Sequence, residues 1–153
     1  MRKTIIFSCH KPSINTLNLS KFCIKGINDY SENINLRILN PYDIKSEIIL
    51  NCNGLIIGTT ENIGYMSGLT KDMFDRCYND WLGYSDGLPV CFYIRAGLDG
   101  TATKKSLESI TKSLNWKIVQ PPLILKGEYK NIFEKRVYEL GASFSAGIEN
   151  NIF

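Results

Sequence analysis

The sequence is poor in the residues that define several common classes of small protein. It has one histidine, five prolines and five cysteines among 153 residues, and none of the cysteines forms a Cys-x-x-Cys pair. A disulfide framework or a zinc cluster requires paired cysteines, so the sequence supports neither. We therefore expect a soluble protein of a reducing cytoplasm.

Long apolar segments and blocks of charge are also missing. The first apolar run, 4–8, ends before His10 and Lys11. It is too short for a signal peptide, and no run approaches the roughly 20 apolar residues that span a bilayer. The net charge is only +3, and no basic block is longer than a pair. We expect no nucleic-acid partner and no membrane partner.

Two glycine-based nucleotide motifs are absent. No Gly-x-Gly-x-x-Gly follows the first apolar run, and no Gly-Lys-Ser/Thr occurs anywhere in the chain. The sequence therefore disfavours a dinucleotide-binding turn and a P-loop.

What the sequence does contain is a regular alternation of two patterns. Hydrophobic residues make up 44% of the chain and charged residues 22%, enough apolar content for one folded domain over residues 1–153. Apolar runs of strand length alternate with stretches whose apolar residues step by three or four, which indicates βα units. We predict an α/β fold, a three-layer, doubly wound, five-stranded parallel sheet.

The predicted elements follow from these patterns. The strands are 4–8, 34–39, 54–58, 89–94 and 118–125. Pro121 and Pro122 interrupt the last strand, which predicts an edge position or a bend. The first helix begins just past Ser13, and the other four cover 43–51, 67–79, 103–114 and 131–149.

Ligands of doubly wound sheets bind beyond the carboxyl ends of the strands, so three loops are candidates. The loop after the first strand is rich in hydroxyl and amide groups at a helix start. Its composition suits a phosphate, although Ser13 or Asn15 can equally serve only as a helix cap. In the loop 59–68, Gly64 lets the backbone approach a flat ligand and Tyr65 offers an aromatic face. The loop 95–101 again combines glycines with polar groups.

A family resemblance is carried by these loops. The second loop and the following helix read Gly58-Thr59-x-Glu61-Asn62-x-Gly64-Tyr65-Met66-Ser67-Gly68-x-x-Lys71-Asp72-x-Phe74-Asp75-Arg76. This stretch resembles the signature of flavodoxin-fold proteins, the group that holds the FMN-dependent NAD(P)H:quinone and flavin reductases. The segment His10-x-Pro12-Ser13-x-Asn15-Thr16 is similar to the phosphate loop of one branch of that group, and Ala96-Gly97-x-Asp99-Gly100-Thr101 to its third loop.

The resemblance implies noncovalently bound FMN, with NAD(P)H as a transient electron donor and a quinone, a flavin or another small molecule as acceptor. The residues implied at the phosphate are Ser8, His10, Ser13, Asn15 and Thr16. Those implied at the isoalloxazine ring are Thr59, Thr60, Glu61, Asn62, Ile63, Gly64 and Tyr65. The other flank of the ring is implied to meet Arg95, Ala96 and Gly97, with Asp99 and Gly100 shaping that loop. Relatives are often dimers or tetramers, which implies a homodimer or homotetramer.

Several side chains have more than one interpretation. Arg95 either lies beside the anionic edge of a reduced flavin or is solvated at a strand end, and His10 either lines the phosphate loop or lies on the surface. We expect the Glu61 carboxylate to turn outward and bond loop N–H groups, because an unpaired carboxylate beside a buried ring is costly. Cys9 is interpreted as structural, although a helix N-terminus can lower a thiol pKa.

The aromatic side chains are ambiguous in the same way. Tyr65, Trp81, Tyr84 and Tyr93 are either ring stackers or core residues. The segment 80–88 either covers a cofactor or forms a subunit contact.

Two other functions are compatible with the sequence. The first is a flavodoxin-type electron carrier without NAD(P)H turnover of its own. Such carriers are usually markedly acidic, and a net charge of +3 fits them poorly. The second is a binding module that keeps the fold without catalysis.

Overall fold

The chain forms seven strands and five α-helices. The computed structural model describes all 153 residues. The strands are β1 (Lys3–Cys9), β2 (Ile34–Leu39), β3 (Gly54–Asn62), β4 (Tyr65–Met66), β5 (Pro89–Ala96), β6 (Lys117–Ile118) and β7 (Leu123–Lys126). The helices are α1 (Ile14–Tyr30), α2 (Ser46–Leu50), α3 (Gly68–Trp81), α4 (Thr101–Ser113) and α5 (Asn131–Glu149). None of these helices has the length and apolar character that a bilayer crossing needs.

The sheet order confirms the doubly wound prediction. It runs β2-β1-β3-β5, and β6 and β7 both pair with the outer side of β5, so the sheet has five strand positions. All of these pairings are parallel. The chain order reverses between β1 and β3, which makes the carboxyl edge near these strands the expected ligand site.

Two apolar layers lie on the two faces of the sheet. One contains Phe74, Trp81 and Trp116 and packs α2, α3 and α4 against one face. The other packs α1 and α5 against the opposite face and buries Phe7 and Phe144 completely. The predicted three-layer arrangement is therefore confirmed.

The fifth strand position is divided in two. Strands β6 and β7 lie on either side of Pro121 and Pro122, and both bond to β5. Proline has no N–H to donate to a strand ladder, so the pairing stops at these residues and resumes after them. The predicted edge position and its interruption are both confirmed.

The region between β2 and β3 is less helical than predicted. Instead of one helix over 43–51, a 3₁₀ turn, Pro41–Asp43, is separated from α2 by Ile44 and Lys45, whose backbone is extended. Ile44 is fully buried, and its carbonyl accepts a hydrogen bond from Arg76 Nη1 of α3 at 2.7 Å. Because Ile44 is drawn into the core and its carbonyl bonds to another helix, a continuous helix cannot form here.

Helices α1 and α5 lie in close contact through two glycines. A Cβ atom at Gly26 would lie 2.1 Å from the backbone oxygen of Tyr138, and one at Gly141 would lie 2.4 Å from that of Cys23. Only a residue without a Cβ allows this approach. The contact sets the position of α1, whose first turn lies at the carboxyl edge of the sheet.

Candidate functional site

The three loops chosen from the sequence meet at one edge of the sheet. Strands β1, β3 and β5 are neighbours and parallel, so the loops after them lie side by side. The backbone N–H of His10 donates to the Gly58 carbonyl at 2.9 Å, and Thr60 is in register with Arg95. None of the five main cavities is lined by these loops, so the candidate site is a surface formed by loop tips rather than one of those cavities.

The second loop is an ordered hairpin, and its prediction as a loop over 59–68 was wrong. Strand β3 continues to Asn62 and pairs with β4 in antiparallel fashion. Ile63 and Gly64 form the two-residue turn, with φ of 52° and 72°. Both angles are typical of the tight turns that join two-residue hairpins. A positive φ is strained for a β-branched residue, and Ile63 projects fully into solvent.

A buried group of hydroxyls fastens this hairpin to α3. Thr59 Oγ1 lies 2.8 Å from Thr70 Oγ1, which lies 2.8 Å from Ser67 Oγ. Ser67 is also the N-cap of α3, where its oxygen accepts from the Thr70 N–H. The side chain of Thr59 thus faces α3 and is set apart from the candidate site, which corrects its assignment to ring contact. A serine directly before the helical pattern was the available sequence signal for the cap.

Glu61 joins the hairpin to the loop after β5. Its carboxylate accepts hydrogen bonds from the Gly100 N–H at 3.1 Å and from the Thr103 hydroxyl at 2.9 Å, and it lies 3.4 Å from the Thr103 N–H. It therefore caps α4, which has no side-chain cap of its own at Gly100. The prediction that this carboxylate turns to loop N–H groups is confirmed.

Glycine is required where that loop meets α4. Gly100 has a φ of 76°, and a Cβ there would lie 2.7 Å from the Ile124 side chain. Beside it, Asp99 accepts from the Thr101 hydroxyl at 2.8 Å. Both residues shape the third loop, and neither can donate a side-chain hydrogen bond to a ligand, because glycine has no side chain and a carboxylate only accepts.

The first turn of α1 contains a reciprocal capping box. The Ser13 hydroxyl accepts from the Thr16 N–H at 3.2 Å, and the Thr16 hydroxyl accepts from the Ser13 N–H at 2.9 Å. These two hydroxyls are therefore used within the chain and hold the turn in shape. The backbone N–H groups of Ile14 and Asn15 have no acceptor in the chain.

The charge around this turn favours an anion. The first turn carries no acidic side chain, and Lys11 is exposed beside it. His10 is half-buried, and burial lowers its pKa. The helix dipole adds partial positive charge at the same place.

Ser8 does not belong to this loop. Its side chain is fully buried, and its hydroxyl donates to the Met73 sulfur of α3 at 3.4 Å. Successive strand residues point to opposite faces, so Ser8 faces α3 while Cys9 faces α1. The assignment of Ser8 to phosphate contact is therefore corrected.

Arg95 is directed away from the hairpin and is bonded to backbone carbonyls. Its guanidinium donates to the carbonyls of Leu125 at 3.0 Å and Gly127 at 2.6 Å, and it lies over the Phe133 ring at 5.4 Å. These partners lie on the β7 side of β5, whereas β3 lies on the other side. The Arg95 side chain therefore ties β5 to the chain after β7 instead of extending into solvent at the strand end.

Three of the four candidate stacking residues are also excluded. Tyr93 and Trp81 are buried in the two apolar layers. Tyr84 is exposed, but the segment 80–88 precedes β5 and lies at the amino edge of the sheet. That segment cannot cover a ligand at the carboxyl edge, and only Tyr65, on the hairpin, remains at the site.

Each of the three loops presents an apolar tip that sequence reasoning largely missed. Ile14, Ile63 and Leu98 are 68%, 106% and 87% exposed. Single exposed apolar residues are common, but three at adjacent loop tips form a surface that suits an apolar ring. A turn position next to a glycine was the available signal for Ile63 and Leu98.

Cys9 is structural, as interpreted from the sequence. Its sulfur lies 3.7 Å from the Tyr93 hydroxyl beneath α1. Burial raises the pKa of the Cys9 thiol, and the contact with Tyr93 offsets this only in part. The thiol is thus protonated at neutral pH and inert.

No group of three or more metal-ligating side chains occurs in the structure.

Solved structures share this architecture at low sequence identity. A flavodoxin from the domain Archaea superimposes with a TM-score of 0.77 and 14% identity, over 97% of this chain and 99% of that one. A WrbA-like flavodoxin from Agrobacterium tumefaciens gives 0.75 and 12%, over 98% and 99%. A flavodiiron core from Synechocystis gives 0.75 and 14%, over 99% of this chain and 36% of the other.

No protein-family model and no curated protein sequence matches the chain. The structural likeness nevertheless extends over nearly the whole chain. The protein therefore has the flavodoxin fold, which it shares with flavodoxins, a WrbA-like protein and a flavodiiron core.

Proposed function

We propose that the protein binds FMN at the carboxyl edge of its sheet and passes electrons from NAD(P)H to a small acceptor such as a quinone or a flavin. The observation that carries the proposal is the open first turn of α1 beside two adjacent loops with apolar tips. The likeness to flavodoxins supports the same ligand.

The phosphate of FMN fits α1 better than the other helix starts at this edge. At α4 the Glu61 carboxylate caps the helix, and its negative charge opposes a phosphate. The starts of α3 and α1 each have one N–H group capped by a serine hydroxyl, but at α3 the nearby Lys71 is paired with Asp75. At α1 the N–H groups of Ile14 and Asn15 are open and the exposed Lys11 is in no ion pair. A helix N-terminus with unpaired N–H groups and no acidic side chain is a ready site for a dianion.

The ring of FMN fits the space between the hairpin and the loop after β5. The backbone of Gly64 and that of Gly97 are accessible on this surface, since a Cβ atom at either residue would contact nothing within 4 Å. The Glu61 bonds fix the hairpin against the third loop, so the two walls are held in place before any ligand arrives. We assign ring contact to Thr60, Asn62, Ile63, Tyr65 and the backbone of Ala96 and Gly97.

The bound flavin supplies the hydride acceptance and electron transfer, and the chain supplies position and shielding from water. No acid, base or nucleophile of the chain is required. With Arg95 occupied by backbone carbonyls, the chain places no arginine at the ring, so its main contribution to the flavin is apolar contact and backbone N–H groups.

Replacing Asn15 with aspartate should change the stability of the protein and its affinity for FMN in opposite directions. The new charge complements the dipole of α1 and should stabilise the protein by about 0.3–1 kcal/mol. The same charge would lie against the phosphate and should weaken FMN binding about tenfold or more. Riboflavin, which has no phosphate, should bind Asn15→Asp and the wild type equally. Flavin fluorescence titrations measure both affinities.

The matched control for this variant is Asn28→Asp, near the other end of α1 and exposed. It makes the same change in net charge and should leave FMN affinity unchanged. Equal FMN affinity of Asn15→Asp and the wild type would contradict the placement of the phosphate.

NAD(P)H oxidation distinguishes the enzyme from the electron carrier. We expect the FMN-loaded protein to oxidise NADH or NADPH in repeated turnovers when a quinone is present. Tight FMN binding without such turnover would identify a carrier that needs a separate reductase. A protein that does not bind FMN at all would be a binding module of another kind.

A further inference from the structure

Three aliphatic side chains project into solvent at the carboxyl edge of the sheet, one from each of the three loops. They are Ile14, Ile63 and Leu98, and each is more than half exposed. The only other isoleucine, leucine or methionine side chains exposed to this extent are Met1 and Ile152, near the two chain ends. We call the three side chains the apolar tips. Exposed apolar side chains that gather at one site mark a surface of association.

Ile63 is held in a backbone conformation that suits it poorly. Its φ of 52° lies in the left-handed region, which β-branched residues rarely adopt. The other two non-glycine residues with a positive φ are Asn115 and Asn151, and asparagine adopts this region far more readily. Isoleucine at this turn therefore lowers the stability of the protein, and because it is fully exposed, packing against the chain does not compensate. Backbone strain of this kind is found at functional sites, which points to a contact with a ligand.

The FMN of the proposed function covers only part of this surface. Its phosphate and its ribityl chain are polar, so neither matches the aliphatic side chain of Ile14 beside the first turn of α1. A flat ring between the hairpin and the third loop contacts one side of Ile63 and of Leu98, because each of these residues projects from a loop tip. Apolar surface is therefore left beside the flavin, where an electron acceptor has to approach.

The charged side chains next to the apolar tips are already engaged by other groups. Lys11 lies beside the first turn of α1, where the phosphate of FMN balances it, and Asp99 accepts a hydrogen bond from the Thr101 hydroxyl. The Glu61 carboxylate is bonded to the start of α4, and the Arg95 guanidinium to carbonyls of the chain. An uncharged, apolar molecule therefore fits the tips better than an anion or a cation.

We propose that the apolar tips bind the hydrocarbon tail of the electron acceptor, so that the preferred acceptor is a quinone with an alkyl or isoprenoid tail. The inference rests on the proposed function and narrows its class of acceptor. In the overall reaction NAD(P)H and one proton reduce the quinone to the quinol, with two electrons passing through FMN. The tail takes no part in this chemistry, so burying it against the tips should lower KM and leave kcat unchanged.

Two quinones with the same head group test the preference: decylubiquinone, which has an alkyl tail, and the ubiquinone head group without a tail. The tail preference is the ratio of their kcat/KM values, measured with the FMN-loaded protein and NADH or NADPH as donor. We expect the wild type to prefer decylubiquinone about tenfold or more, through KM, because burying about two methylene groups changes an affinity about tenfold.

Ile63→Asn and Leu98→Asn should each lower the tail preference about threefold or more, since each removes apolar contact with the tail. Leu82→Asn is the control, because Leu82 is 46% exposed but precedes β5 and lies at the amino edge. Ile63→Asn should also unfold at a higher urea concentration than the wild type, because asparagine before glycine suits this turn. In NMR spectra of the FMN-loaded wild type, decylubiquinone should shift the methyl signals of Ile63 and Leu98 more than the tailless head group does.

Three results would overturn the proposal: equal kcat/KM values of the two quinones with the wild type, a tail preference that Ile63→Asn and Leu98→Asn leave unchanged, or sedimentation of the protein with phosphatidylcholine vesicles that contain no quinone. The last result would assign the tips to a lipid bilayer. Lower stability of Ile63→Asn would contradict the strain on which the role of Ile63 rests. A protein that binds no FMN or reduces neither quinone would contradict the proposed function and this inference with it, whereas equal turnover of both quinones would contradict this inference alone.

Discussion

Replacing Glu61 with alanine is expected to destabilise the protein by about 2–3 kcal/mol and to weaken FMN binding. The carboxylate is the acceptor for the Gly100 N–H and the Thr103 hydroxyl, and Thr103 is fully buried. Alanine would leave these donors without a partner and α4 without its cap, and buried unpaired donors cost about 1–3 kcal/mol. The hairpin would also lose its link to the third loop, so the walls of the flavin site would no longer be fixed.

Urea denaturation followed by circular dichroism measures the stability loss, and flavin fluorescence measures the binding. Glu61→Gln keeps an amide oxygen as acceptor and should lose about half as much stability. Glu128→Ala is the control, since Glu128 is an exposed carboxylate at the same edge with no hydrogen bond in the chain, and surface changes of this kind stay within about 0.5 kcal/mol. Equal stabilities of Glu61→Ala and Glu128→Ala would show that the link is not formed.

Replacing Gly26 with alanine is expected to cost about 2–3 kcal/mol. The added Cβ would lie 2.1 Å from the backbone oxygen of Tyr138, which is far inside contact distance. A backbone atom of a helix cannot rotate away as a side chain can, so α1 and α5 must move apart and lose packing. Because α1 carries the proposed phosphate site on its first turn, FMN affinity should fall together with stability.

Gly68→Ala is the matched control for this substitution. Gly68 also lies in a helix, but a Cβ there would contact nothing within 4 Å. Alanine should be neutral there or stabilise the protein by up to about 0.5–1 kcal/mol, because it has the higher helix propensity. If Gly26→Ala unfolds at the same urea concentration as Gly68→Ala, the close approach of α1 and α5 is wrong.

The strength of the local pattern decided which elements could be predicted from the sequence. Strand β2 and helix α5 begin and end at the predicted residues. In β2 the pattern ends at Asn40-Pro41, and in α5 the apolar residues keep their spacing over the full length of the helix. Strands β1 and β5 and helices α3 and α4 begin and end within two residues of their predicted bounds, and α1 begins where it was predicted to begin.

The errors at the candidate site have a different cause, because they depend on contacts between distant residues. A two-residue strand such as β4 has no periodicity, so the sequence pattern does not reveal the hairpin. The bond between Glu61 and Gly100 spans 39 residues, and only its general direction could be predicted.

Strand parity and topology together determine the direction of two other side chains. Arg95 has the same strand parity as Tyr93, which faces α1 and α5, so its side chain had to lie on that face. Tyr84 precedes a parallel strand and therefore had to lie at the amino edge, away from the candidate site.

The central claim is that the phosphate of FMN binds at the first turn of α1, and the single histidine tests it most directly. His10 gives one NMR titration that no other residue can obscure, and in the free protein burial lowers its pKa. A phosphate dianion nearby favours the imidazolium, so the pKa of His10 should rise when FMN binds and should not rise with riboflavin. If FMN saturates the protein and leaves the pKa of His10 at the value found with riboflavin, the phosphate lies elsewhere and the claim is contradicted.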